Sequence, residues 1–143
     1  MATAEQLVTI KGGAVAQLPP GATALAAAQL MCDRRIGSVL VVDEGRIVGI
    51  FTERDVLGRI VGARRDPART ALHEVMSAPV ACAAPYTTLD ELRLAMRERR
   101  IRHIPVVDID RLLGIISIGD LNRAEQQVHE RTIAYLEQFV GAS

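Results

Sequence analysis

Long apolar runs, lysine and a surplus of either charge are what this chain lacks. No apolar run approaches the ~18 residues that a membrane-crossing helix needs, so no membrane span is expected. Basic and acidic residues number 17 each, for a formal net charge of +0. That balance argues against a general nucleic-acid or membrane-surface binder, which carries net basic charge. The cations are nearly all arginine, with Lys11 the single lysine. Arginine suits anion recognition, although genome composition produces the same bias. The two cysteines, Cys32 and Cys82, form no C-x-x-C pair and no Cys/His cluster. Neither a metal site nor a disulfide framework is expected, and both thiols read as buried and inert. There is no Gly-rich phosphate loop and no Ser/His/Asp or Cys/His set. His73 and His129 fall on expected helices without partners at metal spacing. No catalytic cofactor and no enzyme activity are therefore expected. Met1–Gln6 has no basic stretch leading into an apolar one, so no secretion signal is expected and the expected compartment is the cytoplasm.

What is present is a repeat. The chain has 143 residues, 49% of them apolar, enough for one ordinary domain with a buried core. Shifted by 65 positions, Ala22–Val56 lies on Thr87–Leu121 without a gap, and 12 of the 35 pairs are identical. Arg34-Arg35-Ile36 falls on Arg99-Arg100-Ile101, Val41-Val42-Asp43 on Val106-Val107-Asp108, Gly49-Ile50 on Gly114-Ile115, and Asp55 on Asp120.

Each copy reads as β-α-β-β-α. A short strand near Ala14–Gln17 or Val80–Cys82 ends at a proline break. A helix follows, about Ala22–Arg34 or Thr88–Arg99, with Thr23 or Thr88 as N-cap. Leu89, Leu92 and Met96 recur at helical spacing, as do Ala24, Ala27, Ala28 and Met31. Next comes a hairpin of two β-branched runs around Asp43-Glu44-Gly45 or Asp108-Ile109-Asp110. Helices near Glu53–Val61 and Ile118–Gln127 close the copies. The strands are apolar almost throughout, so helices should cover much of the sheets. Between the copies, Thr70–Met76 reads as a short helix with a threonine cap. Residues Ala124–Val140 read as a longer amphipathic helix whose face could pack on its own domain or on a partner chain.

These residues resemble paired CBS domains, the Bateman module. The resemblance is carried by Met31…Ile36…Val41-Val42-Asp43…Gly49-Ile50…Thr52-Glu53-Arg54-Asp55. It recurs as Met96…Ile101…Pro105-Val106-Val107-Asp108…Gly114-Ile115…Ser117-Ile118-Gly119-Asp120. It covers about residues 10–125. It implies an α/β (α+β) fold of two pseudo-symmetric repeats, 8–64 and 72–127, packed sheet to sheet, with a C-terminal helix at 128–143. It also implies adenine-nucleotide binding (AMP, ADP, ATP or NAD(H)) in clefts between the copies, and regulation of a partner protein. Two modules commonly pair in this family, so a homodimer is expected, and the length suits a stand-alone module.

The candidate site follows from both sources. Thr52 and Asp55 are three apart where a strand passes into a helix, so they lie on one side of the first turn. The carboxylate there can accept from a ribose diol, and the hydroxyl suits a phosphate. Ser117 and Asp120 repeat the arrangement. The same spacing is also a capping motif that needs no ligand, and the two roles are compatible. Arg54 could reach phosphate oxygens, but its counterpart is Gly119, so the two sites should differ. Arg102 and His103 stand where the family often carries phosphate-binding basic residues. Solvated charge and strand-edge histidine remain alternatives for them, and their counterparts are Gly37 and Ser38. The resemblance further places the base against Val15-Ala16 or Val80-Ala81, with the backbone of Gly37, Ser38 and Val39, or of His103, Ile104 and Pro105, reading its edge. Arg93, Arg97, Arg99 and Arg100 read as a solvated helix face. The rival function is an interaction scaffold with vestigial clefts.

Overall fold

The computed structural model describes residues 2–127 and Leu136. They fall into two compact units. One is Gly13–Cys82; the other joins residues 2–12 to the described chain from Ala83 onward.

In the Gly13–Cys82 unit a three-stranded sheet has the order β1-β2-β3 (Gln17–Leu18, Ser38–Asp43, Arg46–Thr52). β1 runs parallel to β2, and β2 and β3 form an antiparallel hairpin. The turn works because Glu44 and Gly45 both take positive φ, 51° and 77°, the conformation a tight two-residue hairpin requires. Helix α2 (Ala24–Arg34) starts at Thr23, whose side chain accepts from Ala26 N. It buries Ala24, Ala27 and Met31 on the sheet, and the core also holds Val39, Val41, Phe51 and Leu72. After β3 comes α3, Glu53–Asp55, which widens into a π-helical stretch at Val56–Val61. The helix expected there is present, but in this wider winding.

The other unit repeats the plan. β4 (His103–Asp108) and β5 (Arg111–Ser117) form a hairpin with the same register shift as the first, between Val106 and Val107 as between Val41 and Val42. α5 (Leu89–Arg99) starts at Thr88, whose side chain accepts from Glu91 N. It buries Leu92 and Met96 against Ile104, Ile116 and Leu121. α6 spans 118–127. The expected helix at 128–143 lies outside the described residues except for Leu136. The strand expected at Val80–Cys82 reduces to one parallel bridge, Ala83 to Val106; Pro85 stands close behind it and cannot donate to a ladder.

Two short helices are exchanged between the copies. α1 (Ala4–Lys11) leads into the first copy but packs on β5 of the second, and α4 (Leu72–Val75) opens the second copy but packs on β3 of the first. α1 was not expected. Its start is a capping box at Thr3 and Gln6, and its end is Gly12 at φ 61°. At α4 the expected threonine cap is replaced: Ala71 N donates to Glu74, while the Thr70 hydroxyl donates to Asp66 O.

The exchange explains the repeated glycines. A Cβ at Gly49 would meet Met76 Sδ at 2.3 Å, and one at Gly114 would meet Val8 Cγ1 at 2.4 Å. Met76 is flexible and can move aside; Val8 is stiff at χ1. Gly114→Ala is therefore expected to cost about 1–3 kcal/mol, and Gly49→Ala less. Urea unfolding of the two variants checks the order, and equal losses would contradict the role given to Val8.

Three further expectations change. Cys32 and Cys82 are exposed, because Cys32 follows Met31 off the buried stripe of α2 and Cys82 lies in the segment joining the units. Arg93 is tied down: it donates to Asn122 Oδ1 at 3.2 Å and pairs with Glu125 at 3.0 Å, which holds α5 to α6. Arg100, with Arg35 before it, ends its helix in the left-handed region at φ 54°.

Candidate functional site

β3 ends at Thr52 in extended conformation, φ −119° and ψ 169°, and the chain turns directly into α3. That turn leaves amides without helical partners, and the corner supplies them. Thr52 Oγ1 accepts from Asp55 N at 3.3 Å. Asp55 Oδ2 accepts from Thr52 N at 3.0 Å and from the Thr52 hydroxyl at 3.2 Å. Asp55 Oδ1 accepts from Ser77 Oγ at 3.0 Å and lies 3.6 Å from Arg59 Nε. The residue is 6% exposed.

The second corner has the same backbone and different company. Ser117 Oγ accepts from Asp120 N at 3.2 Å, and Asp120 Oδ2 accepts from Ser117 N at 2.8 Å. Lys11 Nζ, reaching over from the last turn of α1, donates to the same Oδ2 at 2.8 Å and to Ile115 O at 2.9 Å. Arg123 donates to Oδ1. Asp120 is 5% exposed. Burial alone would raise its carboxyl, but hydrogen bonds from Lys11 and Ser117, with the Lys11 charge, hold it below the ordinary 3.8.

The hairpins bring most of the expected residues to these corners. Ser38 pairs with Thr52, and His103 with Ser117. Gly37 O accepts from Glu53 N at 3.1 Å, and Arg102 O accepts from Ile118 N at 2.9 Å. Both corners are thus closed by the same carbonyl, 65 positions apart. Arg54 and the Arg102 side chain are exposed. At Gly119 a side chain would have room, since a Cβ meets nothing closer than Arg123 at 3.5 Å. Val39, Ile104 and Pro105 are buried strand residues; Val39 and Ile104 belong to the cores of their units, and Pro105, next to Ile104 on the strand, faces the opposite side of the hairpin. Ala16 is buried and its carbonyl accepts from Leu40 N at 3.0 Å; Val15 is half-buried beside it. Val80 and Ala81 are half-buried outside any strand.

Lys11, Arg123, Ser77 and Arg59 are not among the site residues expected from the sequence. Arg123 and Arg59 stand three and four residues after their aspartates, so helical spacing was a signal for them. Ser77 and Lys11 arrive through the exchanged helices, which local patterning does not encode. In the Gly13–Cys82 unit an open groove of about 400 Å³ also lies between α2 and α3, with Met31, Cys32, Arg35, Gly37 and Glu53 on its walls. Among the described residues, no His/Cys/Asp/Glu group is placed to hold a metal ion, and no helix is long and apolar enough to cross a membrane.

Two matching corners in two matching units raise the question of kinship. The CBS domain family matches residues 14–62 and 72–126, one match for each corner. The chain is a CBS domain protein. The CBS domain-containing protein YhcV of Bacillus subtilis is 36% identical over 107 residues, covering 75% of this chain and 76% of that one. The mitochondrial CBSX3 of Arabidopsis thaliana is 30% identical over 119 residues, and the match covers 80% of this chain and 58% of that longer protein. A putative signal-transduction protein with CBS domains from Burkholderia ambifaria has a similar structure, with TM-score 0.82, 36% identity, and coverage of 86% and 93%. The CBS domain protein PAE2072 of Pyrobaculum aerophilum, solved complexed with AMP, matches with TM-score 0.74 at 25% identity, over 83% of this chain and 89% of that one. The two CBS repeats therefore have the mixed α+β fold that the resemblance implied.

Proposed function

We propose that this CBS domain protein is a regulatory module that binds an adenine nucleotide at one or both corners and thereby modulates a partner protein. One observation carries the reading. The same hydroxyl-and-aspartate corner, with its carboxylate almost fully buried, is built twice, 65 positions apart. A single cap needs only its helix; two preserved copies at the ends of equivalent strands suit a shared ligand. The AMP bound to PAE2072 supplies the ligand class. Arg54, Arg102 and His103 stand near the corners and suit phosphate oxygens. The module itself is read as non-catalytic. Binding regulates only through a difference in affinity between two states of the module.

Calorimetry with AMP, ADP, ATP and NADH tests this. A ligand at 100 times its Kd is expected to add about 2.7 kcal/mol to the unfolding free energy. No heat with any adenine compound, and an unchanged melting temperature at millimolar ligand, would reject the proposal.

The homodimer belongs to the same proposal. Leu57 and Val61 on the π-helical stretch are 68% and 64% exposed, and Leu25 on the adjoining α2 is 37% exposed. Apolar side chains of that size are commonly covered by a partner, and closed two-fold dimers are the commonest oligomers. Light scattering should return twice the 15.5 kDa chain mass; a monomer mass would contradict it. The same exposed residues favour the second reading, an interaction scaffold with vestigial clefts. That reading gains if partner capture persists with no nucleotide dependence.

A further inference from the structure

The two corners are alike in backbone and differ in what faces the carboxylate. At the first, the neighbours of Asp55 Oδ1 are the Ser77 hydroxyl and, at 3.6 Å, Arg59. At the second, the ammonium of Lys11 lies directly on Asp120 Oδ2 at 2.8 Å, and Arg123 donates to Oδ1. The residue 65 positions on from Lys11 is Met76, whose side chain packs over Gly49. The chain's one lysine is therefore specific to the second repeat, at a carboxylate 5% exposed, while its own side chain keeps 36% exposure. It is anchored at one end by α1 and can swing its charged end towards solvent along a flexible stem.

A sugar diol that takes Asp120 Oδ2 competes with this ammonium, while Arg123 can stay on Oδ1. A neutral nucleoside offers nothing in return, and the lysine loses an ion pair in a partly buried place. A nucleotide brings a phosphate, onto which the ammonium can transfer as the diol takes the carboxylate. The number of ion pairs is then conserved. Resting on the nucleotide reading above, we infer that Lys11 is a specificity-determining residue that makes the second corner prefer phosphorylated nucleosides over unphosphorylated ones. The first corner, whose carboxylate faces the Arg59 guanidinium only at 3.6 Å, discriminates less.

Titration with adenosine and with AMP, followed by the amide resonances of Ser117 and Asp120, reads the second corner directly. The native protein is expected to bind AMP there at least tenfold more tightly than adenosine. Lys11→Met keeps the helix-forming stem and removes the charge. It should tighten adenosine, weaken AMP and abolish the preference, whereas Lys11→Arg should retain it. If Lys11→Met fails to fold, Lys11→Gln serves in its place. A preference unchanged in the charge-removing variant overturns the inference and leaves the nucleotide reading standing. If neither ligand moves Ser117 or Asp120 in the native protein, the nucleotide reading of this corner fails and takes the inference with it.

Discussion

Phe51→Ala is expected to destabilise the protein by about 3–5 kcal/mol, the range for removing a fully buried phenyl ring from a packed core. Phe51 is 0% exposed, pairs with Val39 across the hairpin, and belongs to the cluster that holds Ala27, Met31, Leu72 and Val75 together. Those residues come from α2, β2, β3 and the exchanged α4, so the hole would touch four elements of that unit at once. The effect should also reach the site, because Phe51 directly precedes Thr52. Hydrogen exchange is expected to accelerate more in Ser38–Thr52 than in His103–Ser117, which packs around its own core of Leu92, Ile104 and Ile116. Denaturant unfolding with exchange readout checks both parts. A loss below about 1 kcal/mol, well under the range for such a truncation, would contradict the core assignment.

Asp120→Ala is expected to cost about 2–4 kcal/mol, the sum of a lost cap and of donors left without their acceptor. Ser117 N loses its acceptor, and Lys11 and Arg123 lose their ion pair, although Lys11 keeps Ile115 O. The pH dependence follows from the depressed carboxyl. Its folded value lies below its ordinary 3.8, so its contribution is fully present above the unfolded value of about 3.9. It disappears as pH falls through the lower folded value. In the variant, the fall of stability in acid should be shallower than in the native protein. Unfolding free energies measured from pH 7 down to about pH 3 cover the upper part of that window, where the loss begins. Parallel curves would mean that Asp120 is not the acid-sensitive group this geometry makes it.

Much of this was legible in the sequence, for reasons now visible. The 65-residue shift works because the identical positions are those where geometry permits little else. Gly49 and Gly114 have a neighbour's side chain where a Cβ would go. Thr23 and Thr88 satisfy the first turns of equivalent helices, and Asp55 and Asp120 close equivalent corners. The hairpins were readable from short apolar runs around acidic turns. What was hidden is what depends on distant partners. α1 has only eight residues, so its Ala4, Leu7 and Val8 at helical spacing show barely one turn of a period, and its role appears once Val8 lies against Gly114. The short helices change partners between copies, so Ser77 and Lys11 join their corners over separations of 22 and 109 residues. The cysteines were misplaced because cysteine is on average a buried residue type, while Cys32 follows Met31 off the buried face of α2.

On the proposed function, these corners receive a nucleotide. A crystal structure grown with saturating AMP tests it most directly. Ribose oxygens are expected within hydrogen-bond distance of the Asp55 or Asp120 carboxylate, with phosphate beside Arg54, Arg102 or Lys11. AMP bound elsewhere, or both corners left with their present internal hydrogen bonds at saturating ligand, would contradict it.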